Sequence, residues 1–247
     1  MIYITGDCHG DYRRFSKDIF PEQKEMNKDD FMIICGDFGY WLPSKEQDYW
    51  LKWLSDKPFT TLFVDGNHEN FDGLTAMPPH LWHGGEIHKV TDSVFHLMRG
   101  QIFDLQGCRI FTFGGARSHD ISGGILEQTD PGFKYQKKKL ARMGRPYRIN
   151  HVSWWAQEMP SEEEMVAGRD NLNRAGNEVD YIITHCCATS TQALFSFGEY
   201  RPDALTDYFE SLRQQIRFKR WFFGHYHDNR QINSLEIMLY EQIIRIW

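Results

Sequence analysis

The chain has 247 residues, of which 41% are hydrophobic and 25% are charged, and its formal net charge is −6. This composition excludes a disordered or fibrous protein, and the length is sufficient to bury a sizeable core in one domain. The mild negative charge neither requires nor excludes a nucleic-acid partner, because carboxylates that bind cations are neutralised locally.

Signals for membrane insertion and export are absent from the sequence. No apolar run approaches the about 18 residues that a membrane-spanning helix needs. The first motif begins at Gly6, which leaves no room for a removable signal peptide, so we expect a cytoplasmic protein with no membrane partner. Five cysteines at irregular spacing do not fit a disulfide framework, and we expect reduced, mostly buried thiols.

Short apolar runs that end in Gly or a polar cluster predict buried strands. They lie at residues 1–5, 31–35, 61–64, 109–113, 181–184 and 221–223. Between the early strands, Asp11 is placed to cap a helix whose Phe15 and Ile19 share one face. Ser44 with Gln47 has the pattern of a capping box at the start of another helix. Strands that alternate with helices indicate an α/β fold.

The second half of the chain predicts two further helices and a terminal group of strands. A helix over about 161–176 begins with a second capping box, formed by Ser161 and Glu164. Another helix is predicted from apolar residues on one face, namely Leu205, Tyr208, Phe209, Leu212 and Ile216. Residues 232–247 alternate between apolar and polar side chains and predict two or three strands.

Residues 114–160 are the least regular segment, and we expect them to form a loop insert over one face of a single domain that spans 1–247. The insert contains a run of seven basic residues, Lys134, Lys137, Lys138, Lys139, Arg142, Arg145 and Arg148. The aromatic pair Trp154 and Trp155 follows. This strip could steer a nucleic acid or polyphosphate, although a charge run more often forms a solvated helix face. Nucleic acid is thus an open partner that the sequence does not itself indicate.

Five of the predicted strands end directly in a loop that carries metal-ligand side chains. The loops are GDCHG at 6–10, GDFG at 36–39, GNHE at 66–69, TH at 184–185 and GHYH at 224–227. Because sites in α/β sheets form beyond the carboxyl ends of strands, these side chains are expected to converge at one edge. Carboxylate, amide and imidazole ligands suit two Mn, Fe or Zn ions, and one carboxylate can bridge ions about 3.5–4 Å apart.

The ordered motifs D-x-H-G, G-D, G-N-H-[DE], a lone His and G-H-x-H resemble those of the calcineurin-like metallophosphoesterases, and the resemblance is to a member of the bacterial or phage type. The resemblance covers 7–227 and implies an α/β (α+β) fold, a four-layer αββα sandwich of two mixed sheets flanked by helices. It also implies metal-dependent hydrolysis of a phosphomonoester or phosphodiester, by in-line attack of a hydroxide that bridges two divalent or trivalent metal ions.

The resemblance assigns roles to particular residues of this chain. The first metal would be held by Asp7, His9 and His227, the second by Asn67, His185 and His225, with Asp37 as the bridge. His68 would act as the general acid or contact the substrate phosphate beside Asn67. Because each of these residues is present, an active enzyme is favoured over the alternative, a catalytically silent scaffold of the same fold.

The chain departs from the family of Ser/Thr phosphatases directly after its second motif. Where those enzymes carry D-R-G, this sequence has Tyr40 and Trp41, so the arginine that would grip a phosphomonoester is missing there. Arg117, in the segment GGARSHD, could bind the substrate phosphate instead. It could equally pair with Asp120 or another carboxylate.

Several other residues near these motifs are not assigned to the metals. Neighbours of a ligand along a strand point the other way, so we expect the cysteines beside the motifs to be structural. The remaining histidines are expected to be surface or core residues, and they are His80, His83, His88, His96, His119 and His151.

Overall fold

The computed structural model describes every residue from 1 to 247. Its α-helices are α1 (Lys45–Ser55), α2 (Phe71–Thr75), α3 (Phe133–Arg142), α4 (Glu162–Arg174), α5 (Thr189–Ser196) and α6 (Ala204–Gln215). Its strands are β1 (Ile2–Thr5), β2 (Phe31–Ile34), β3 (Thr60–Phe63), β4 (Pro79–Trp82), β5 (Gly85–Lys89), β6 (Val94–Leu97), β7 (Gln101–Leu105), β8 (Cys108–Phe113), β9 (Ile125–Leu126), β10 (Arg148–Ile149), β11 (Tyr181–Thr184), β12 (Arg220–Phe223), β13 (Arg230–Gln231), β14 (Glu236–Met238) and β15 (Ile244–Arg245). Short 3-10 helices span Arg13–Phe15, Pro21–Glu25 and Ala156–Glu158.

Two large mixed sheets form the centre of the molecule. The first has seven strands in the order β15-β1-β2-β3-β6-β5-β4, and the second has six in the order β13-β14-β12-β11-β8-β7. Strands β1, β2, β3 and β6 run parallel to one another, as do β8, β11, β12 and β14. The loops that follow these parallel strands therefore lie at the carboxyl end of each sheet.

Alternation of side chains along the strands builds the layers. Ile2 and Ile4 lie in the apolar core between the sheets, whereas Tyr3 packs on the outer side of the first sheet. On the second sheet, Phe222 faces the same inner core and Phe223 packs outward against the cluster that contains α4 and α6 residues. Helices thus cover both outer faces, which confirms the predicted four-layer αββα sandwich.

All six predicted strands are found, with ends that shift by at most a residue or two. The helix predicted over about 161–176 is α4, and its capping box is present, with Ser161 and Glu164 each accepting the other's backbone N–H. The predicted apolar helix is α6, which ends at Gln215. Ser44 accepts the Gln47 N–H at the start of α1. These elements are set by local caps and burial, which the sequence displays directly.

The helix predicted after Asp11 is wrong. Only the 3-10 turn Arg13–Phe15 forms there, and the Asp11 carboxylate accepts the backbone N–H and guanidinium of Arg13 instead of capping a longer helix. Ile19, expected on the buried face, is 64% exposed. Local side-chain pairing and a tight turn have replaced the regular helix.

The sequence also did not predict strands β4 to β7, which extend the two sheets by antiparallel pairing, β4 and β5 beside β6 in the first sheet and β7 beside β8 in the second. The segment 114–160, expected to be irregular, contains β9, β10 and the ten-residue helix α3. In the terminal region, β14 and β15 lie within residues 232–247, and β13 precedes them. None of the helices combines the length and the apolar character that crossing a membrane requires.

Candidate metal centre

Four of the predicted metal ligands lie in strained turns just after parallel strands. They are His9, Asp37, His225 and His227, with φ angles of 48°, 43°, 70° and 52°. Residues other than glycine rarely adopt φ angles in this left-handed region. Such residues cost about 1–3 kcal/mol each and cluster at functional sites, where the surrounding structure holds them in place.

Glycines allow the loops to approach the ligands closely. A Cβ added to Gly66 would overlap Oδ1 of Asp37. A Cβ added to Gly224 would overlap Oδ1 of Asp7, on the loop of the other sheet. The glycine that precedes a ligand in these motifs therefore has a steric function, because any side chain would push two ligand loops apart.

The residues predicted for the first metal lie together with the predicted bridge. The ligand atoms of Asp7, His9, Asp37 and His227 all lie within 4.8 Å of one another. The Nε2 atoms of His9 and His227 are 2.9 Å apart, and His227 Nε2 is 3.1 Å from Asp7 Oδ2. Asp7 is buried, and its Oδ1 accepts the His225 backbone N–H at 2.9 Å, which fixes the carboxylate.

The residues predicted for the second metal form a neighbouring group. His185 Nε2 lies 3.2 Å from Asn67 Oδ1, and the His185 and His225 ring centroids are 4.9 Å apart. His185 Nδ1 donates to the Cys35 carbonyl at 2.8 Å, so Nε2 is the ring nitrogen whose electron pair can bind a metal. Burial acts to lower the pKa of His185, but the Asp37 carboxylate raises it to about 9.

Asp37 lies between the two groups. Its Oδ2 is 3.7 Å from His9 Nε2 and 3.5 Å from His185 Nε2. Its Oδ1 accepts the His68 backbone N–H at 2.8 Å. Burial acts to raise the pKa of Asp37, but His185 and the other nearby imidazoles hold it below its usual range. A buried, ionised carboxylate in this position can bridge two cations.

His119 adds an imidazole that the sequence analysis did not assign to the site. Its Nε2 lies 3.0 Å from His225 Nε2, and its ring packs against Tyr200. Burial, His185 and His119 hold the pKa of His225 well below its usual value. The segment that carries His119 is also joined to the centre through Ser118, whose hydroxyl accepts from Asn67 Nδ2 at 3.2 Å.

His68, the predicted general acid, lies beside a guanidinium from the segment 114–160. Arg148 Nη2 is 3.4 Å from His68 Nε2. Arg148 is in turn paired with Asp120, which accepts from Nε at 3.1 Å and also from Nη2. Burial lowers the pKa of His68, an effect that Asp37 opposes and Arg148 reinforces.

Arg117, the predicted phosphate-binding arginine, lies beside Asp203. Its side chain is 59% exposed, and its Nε is 3.7 Å from Asp203 Oδ2. Of the two alternatives left open by the sequence, this geometry favours pairing with a carboxylate, and the partner is Asp203 rather than Asp120. A substrate-binding role for Arg117 stays a prediction.

The loop that carries Asp37 is held by a buried carboxylate from the GNHE motif. Glu69 Oε1 accepts the Phe38 N–H and Oε2 accepts the Tyr40 N–H, both at 2.7 Å. The sequence analysis missed this role, although the position of Glu69 directly after Asn67 and His68 could have indicated it. The cysteines beside the motifs are all buried and unpaired, as expected, namely Cys8, Cys35, Cys186 and Cys187.

His119 and Arg148 were also not assigned to the site from the sequence, and the signals that could have indicated them differ. His119 follows β8, a strand whose end lies at the same edge as the ligand loops, so the topology could have placed it near the centre. Arg148 has no such local signal, because it approaches His68 from 80 positions further along the chain.

Comparison with known proteins identifies one family model and several relatives that are similar to this chain. The family model described as calcineurin-like phosphoesterase matches residues 1–229. Lariat debranching enzyme A of Xenopus laevis is 26% identical over 144 residues, which are 51% of this chain and 26% of that protein. The lariat debranching enzyme of Drosophila pseudoobscura pseudoobscura is 29% identical over 143 residues, 51% of this chain and 25% of the relative.

The human lariat debranching enzyme is similarly related, at 25% identity over 143 residues, with 51% of this chain and 25% of the relative covered. The match to these curated relatives thus spans about half of this chain and about a quarter of their own length.

Proposed function

The chain belongs to the calcineurin-like phosphoesterase family, and on this premise we propose that it hydrolyses phosphodiester bonds of a nucleic acid. Family membership makes the chain a metal-dependent hydrolase of phosphoester bonds. The choice of a diester, and of a nucleic acid as its source, is the further step. It is supported by the relatives named as lariat debranching enzymes and by a basic surface on helix α3.

The observation that carries the proposal is the position of Asp37 between two groups of nitrogen and oxygen ligands. The donors are carboxylate, amide and imidazole, a set that suits divalent first-row metals and needs no thiolate. Asp7, His9 and His227 would hold one ion, and Asn67, His185 and His225 the other. When bound, such ions supply Lewis-acid charge stabilisation and a water of lowered pKa for in-line attack at phosphorus.

The residues of the chain would position the ester and move a proton. Asp37 accepts the His68 backbone N–H through its Oδ1, which fixes the backbone of His68 beside the bridge. His68 would protonate the leaving oxygen or hydrogen-bond the phosphate, and the Asn67 amide would contact the same group. A silent scaffold would not require this arrangement.

The basic surface is one face of helix α3. Lys134, Lys138 and Arg142 are spaced four residues apart, so they share a face, and all three are exposed. None of them forms an ion pair within the chain. Helix α3 packs against β9, which pairs with β10, and Arg148 of β10 lies 3.4 Å from His68. A row of cations on the segment that reaches the centre suits a polyanionic substrate, because neutralised phosphates release condensed counterions.

The test compares a short RNA, a mononucleotide and bis-p-nitrophenyl phosphate as substrates of the Mn-supplemented protein. We expect turnover of the two diesters and tighter binding of the RNA. Lys134→Gln/Lys138→Gln/Arg142→Gln should weaken RNA binding by at least about tenfold at low salt and reduce the salt slope by about 0.7 per lost phosphate contact. Turnover of bis-p-nitrophenyl phosphate should not change, because none of the three residues is assigned to the centre.

The matched control removes three exposed lysines elsewhere, as Lys17→Gln/Lys24→Gln/Lys52→Gln, so that the net charge changes equally. The nucleic-acid part of the proposal is rejected if both triple variants bind RNA alike. The enzyme itself is rejected in favour of the scaffold if no diester is turned over with Mn, Fe or Zn.

Three expectations from the sequence stay predictions and are part of the proposal. They are a single domain over 1–247 with an insert at about 114–160, a cytoplasmic location, and Mn, Fe or Zn as the metals.

A further inference from the structure

We propose that Arg148 binds a non-bridging oxygen of the substrate phosphate and so replaces the arginine that is missing after Asp37. The inference rests on the proposed function, because it adds a substrate contact to the same centre. It assigns a phosphate-binding role to the segment 114–160, which carries no recognised motif, and it gives that role to Arg148 rather than to Arg117.

Arg148 lies beside the predicted general acid, His68. Arg148 Nη2 lies 3.4 Å from Nε2 of the His68 ring, whereas the bridging Asp37 accepts the backbone N–H of the same residue. A group that accepts from both His68 and Arg148 would therefore lie within reach of the metal ligands. The Arg148 side chain is 25% exposed, so a ligand can reach it while most of its stem is fixed.

The Arg148 guanidinium has hydrogen-bonding capacity that contacts within the chain do not use up. Asp120 accepts from Nε and Nη2, which occupies one edge of the planar guanidinium. Nη1 makes no hydrogen bond within the chain, and Nη2 has one further contact, the long one to His68 Nε2 at 3.4 Å. The edge formed by Nη1 and Nη2 can therefore donate to a phosphate that lies beside His68. Two parallel N–H groups match two phosphate oxygens, which is the geometry that distinguishes arginine from lysine.

The part of the segment 114–160 that carries Arg148 is held in place by hydrogen bonds. Trp155 Nε1 donates to Asp72 Oδ2 at 2.7 Å, and the same carboxylate lies 2.8 Å from His151 Nδ1. Glu158 accepts the Ser118 backbone N–H at 3.0 Å. The segment that follows β10 is thus tied to Asp72 and Ser118, and β10 itself pairs with β9, so the Arg148 guanidinium is presented at a defined place.

Other arginines near the centre are already committed. Arg99 is buried and donates to Asp65 and Glu164, so its fork has no free edge toward the ligands. Arg14 donates to the backbone carbonyls of Asp7 and Tyr240. Arg148 is therefore the arginine whose position and free N–H groups both suit a phosphate.

The experiment measures binding of inorganic phosphate to the Mn-loaded protein by calorimetry, together with kcat and KM for bis-p-nitrophenyl phosphate. Arg148→Gln should weaken phosphate binding and lower kcat/KM by about 10- to 100-fold, which corresponds to the loss of charge-assisted hydrogen bonds. Arg148→Lys should recover only part of this, because a single ammonium cannot form the paired contacts. Asp120→Asn should fall between wild type and Arg148→Gln, since the guanidinium loses its orienting partner.

Arg145→Gln is the matched control, because Arg145 is exposed, lies three residues away and makes no contact with His68. Metal content, measured on each variant, should equal that of wild type. The inference is overturned if Arg148→Gln and Arg148→Lys bind phosphate as tightly as Arg145→Gln. Because phosphate binding is measured without turnover, a protein that binds phosphate through Arg148 but hydrolyses no diester would reject the proposed function and keep this inference.

Discussion

At the scale of single residues, Asp37 is the side chain on which the two ligand groups depend. One oxygen faces His9 and His185, and the other accepts the His68 N–H. It also occupies the left-handed region at φ 43°, which an aspartate adopts only occasionally. Asp37 thus joins metal binding to the position of the predicted acid.

We predict that Asp37→Asn loses bound metal and turnover together. An amide has the shape of the carboxylate but not its charge, and it offers one oxygen in place of two equivalent ones. Loss of groups that only support metal ligands costs about 10–100-fold, so removal of the bridge should lower kcat/KM by more than about 100-fold. Elemental analysis of dialysed protein and kinetics on bis-p-nitrophenyl phosphate measure the two effects.

Asp48→Asn is the control for this substitution, because Asp48 is exposed on α1 and makes the same change in net charge. Wild-type metal content and full turnover in Asp37→Asn would contradict the assignment of Asp37 as the bridge.

At the scale of elements, Glu69 connects the loop after β3 to the loop after β2. Its two oxygens accept the N–H groups of Phe38 and Tyr40, which lie one and three residues after Asp37. Burial and Asp37 raise the pKa of Glu69, while these two N–H donors act to lower it. The side chain thus substitutes for a neighbouring strand by satisfying backbone groups that would otherwise be buried without partners.

We predict that Glu69→Ala destabilises the fold by about 1–3 kcal/mol for the N–H groups left without an acceptor. Glu69→Gln should lose less, because its amide oxygen still accepts one of them. Urea unfolding in EDTA measures this effect without a contribution from metal, and Mn titration of the folded variants should show weaker binding. Exposed Glu25, replaced in Glu25→Ala, serves as the control. Equal unfolding midpoints for Glu69→Ala and Glu25→Ala would contradict the anchoring role.

The elements that the sequence predicted correctly are those with a strong local cause. Strands such as β2 are apolar on both faces because a core covers each, and α4 begins with a complete capping box. Strand β4 was missed because it lies at a sheet edge, begins with Pro79 and has mostly exposed side chains. The helix expected after Asp11 failed because its carboxylate pairs with Arg13.

The same distinction applies to the candidate site. The seven ligands follow predicted strands, and the common direction of parallel strands was enough to expect their convergence. The contact between Arg148 and His68 depends on how the segment 114–160 folds back over the centre. Such long-range contacts are set by packing against Asp72 and Ser118, and no periodicity in the sequence encodes them.

At the scale of the whole molecule, the centre joins the two sheets. Asp7, Asp37 and Asn67 follow strands of the first sheet, whereas His185, His225 and His227 follow strands of the second. The apolar core between the sheets makes the same connection further inside. Bound cations would add a polar connection at the edge where the core ends.

We therefore predict that metal removal lowers thermal stability. A ligand held only by the folded state at about 100 times its Kd stabilises that state by about 2.7 kcal/mol. For a chain of this size, 1 kcal/mol shifts Tm by about 2–4 °C, so EDTA should lower Tm by about 5–10 °C relative to Mn-loaded protein. Calorimetric scans at several Mn concentrations should show Tm rising with the metal. Asp37→Asn should show a much smaller rise, because neither group of ligands is complete without the bridge. A Tm that is the same in EDTA and in Mn, in protein shown to bind Mn, would mean that the cations do not connect the two sheets.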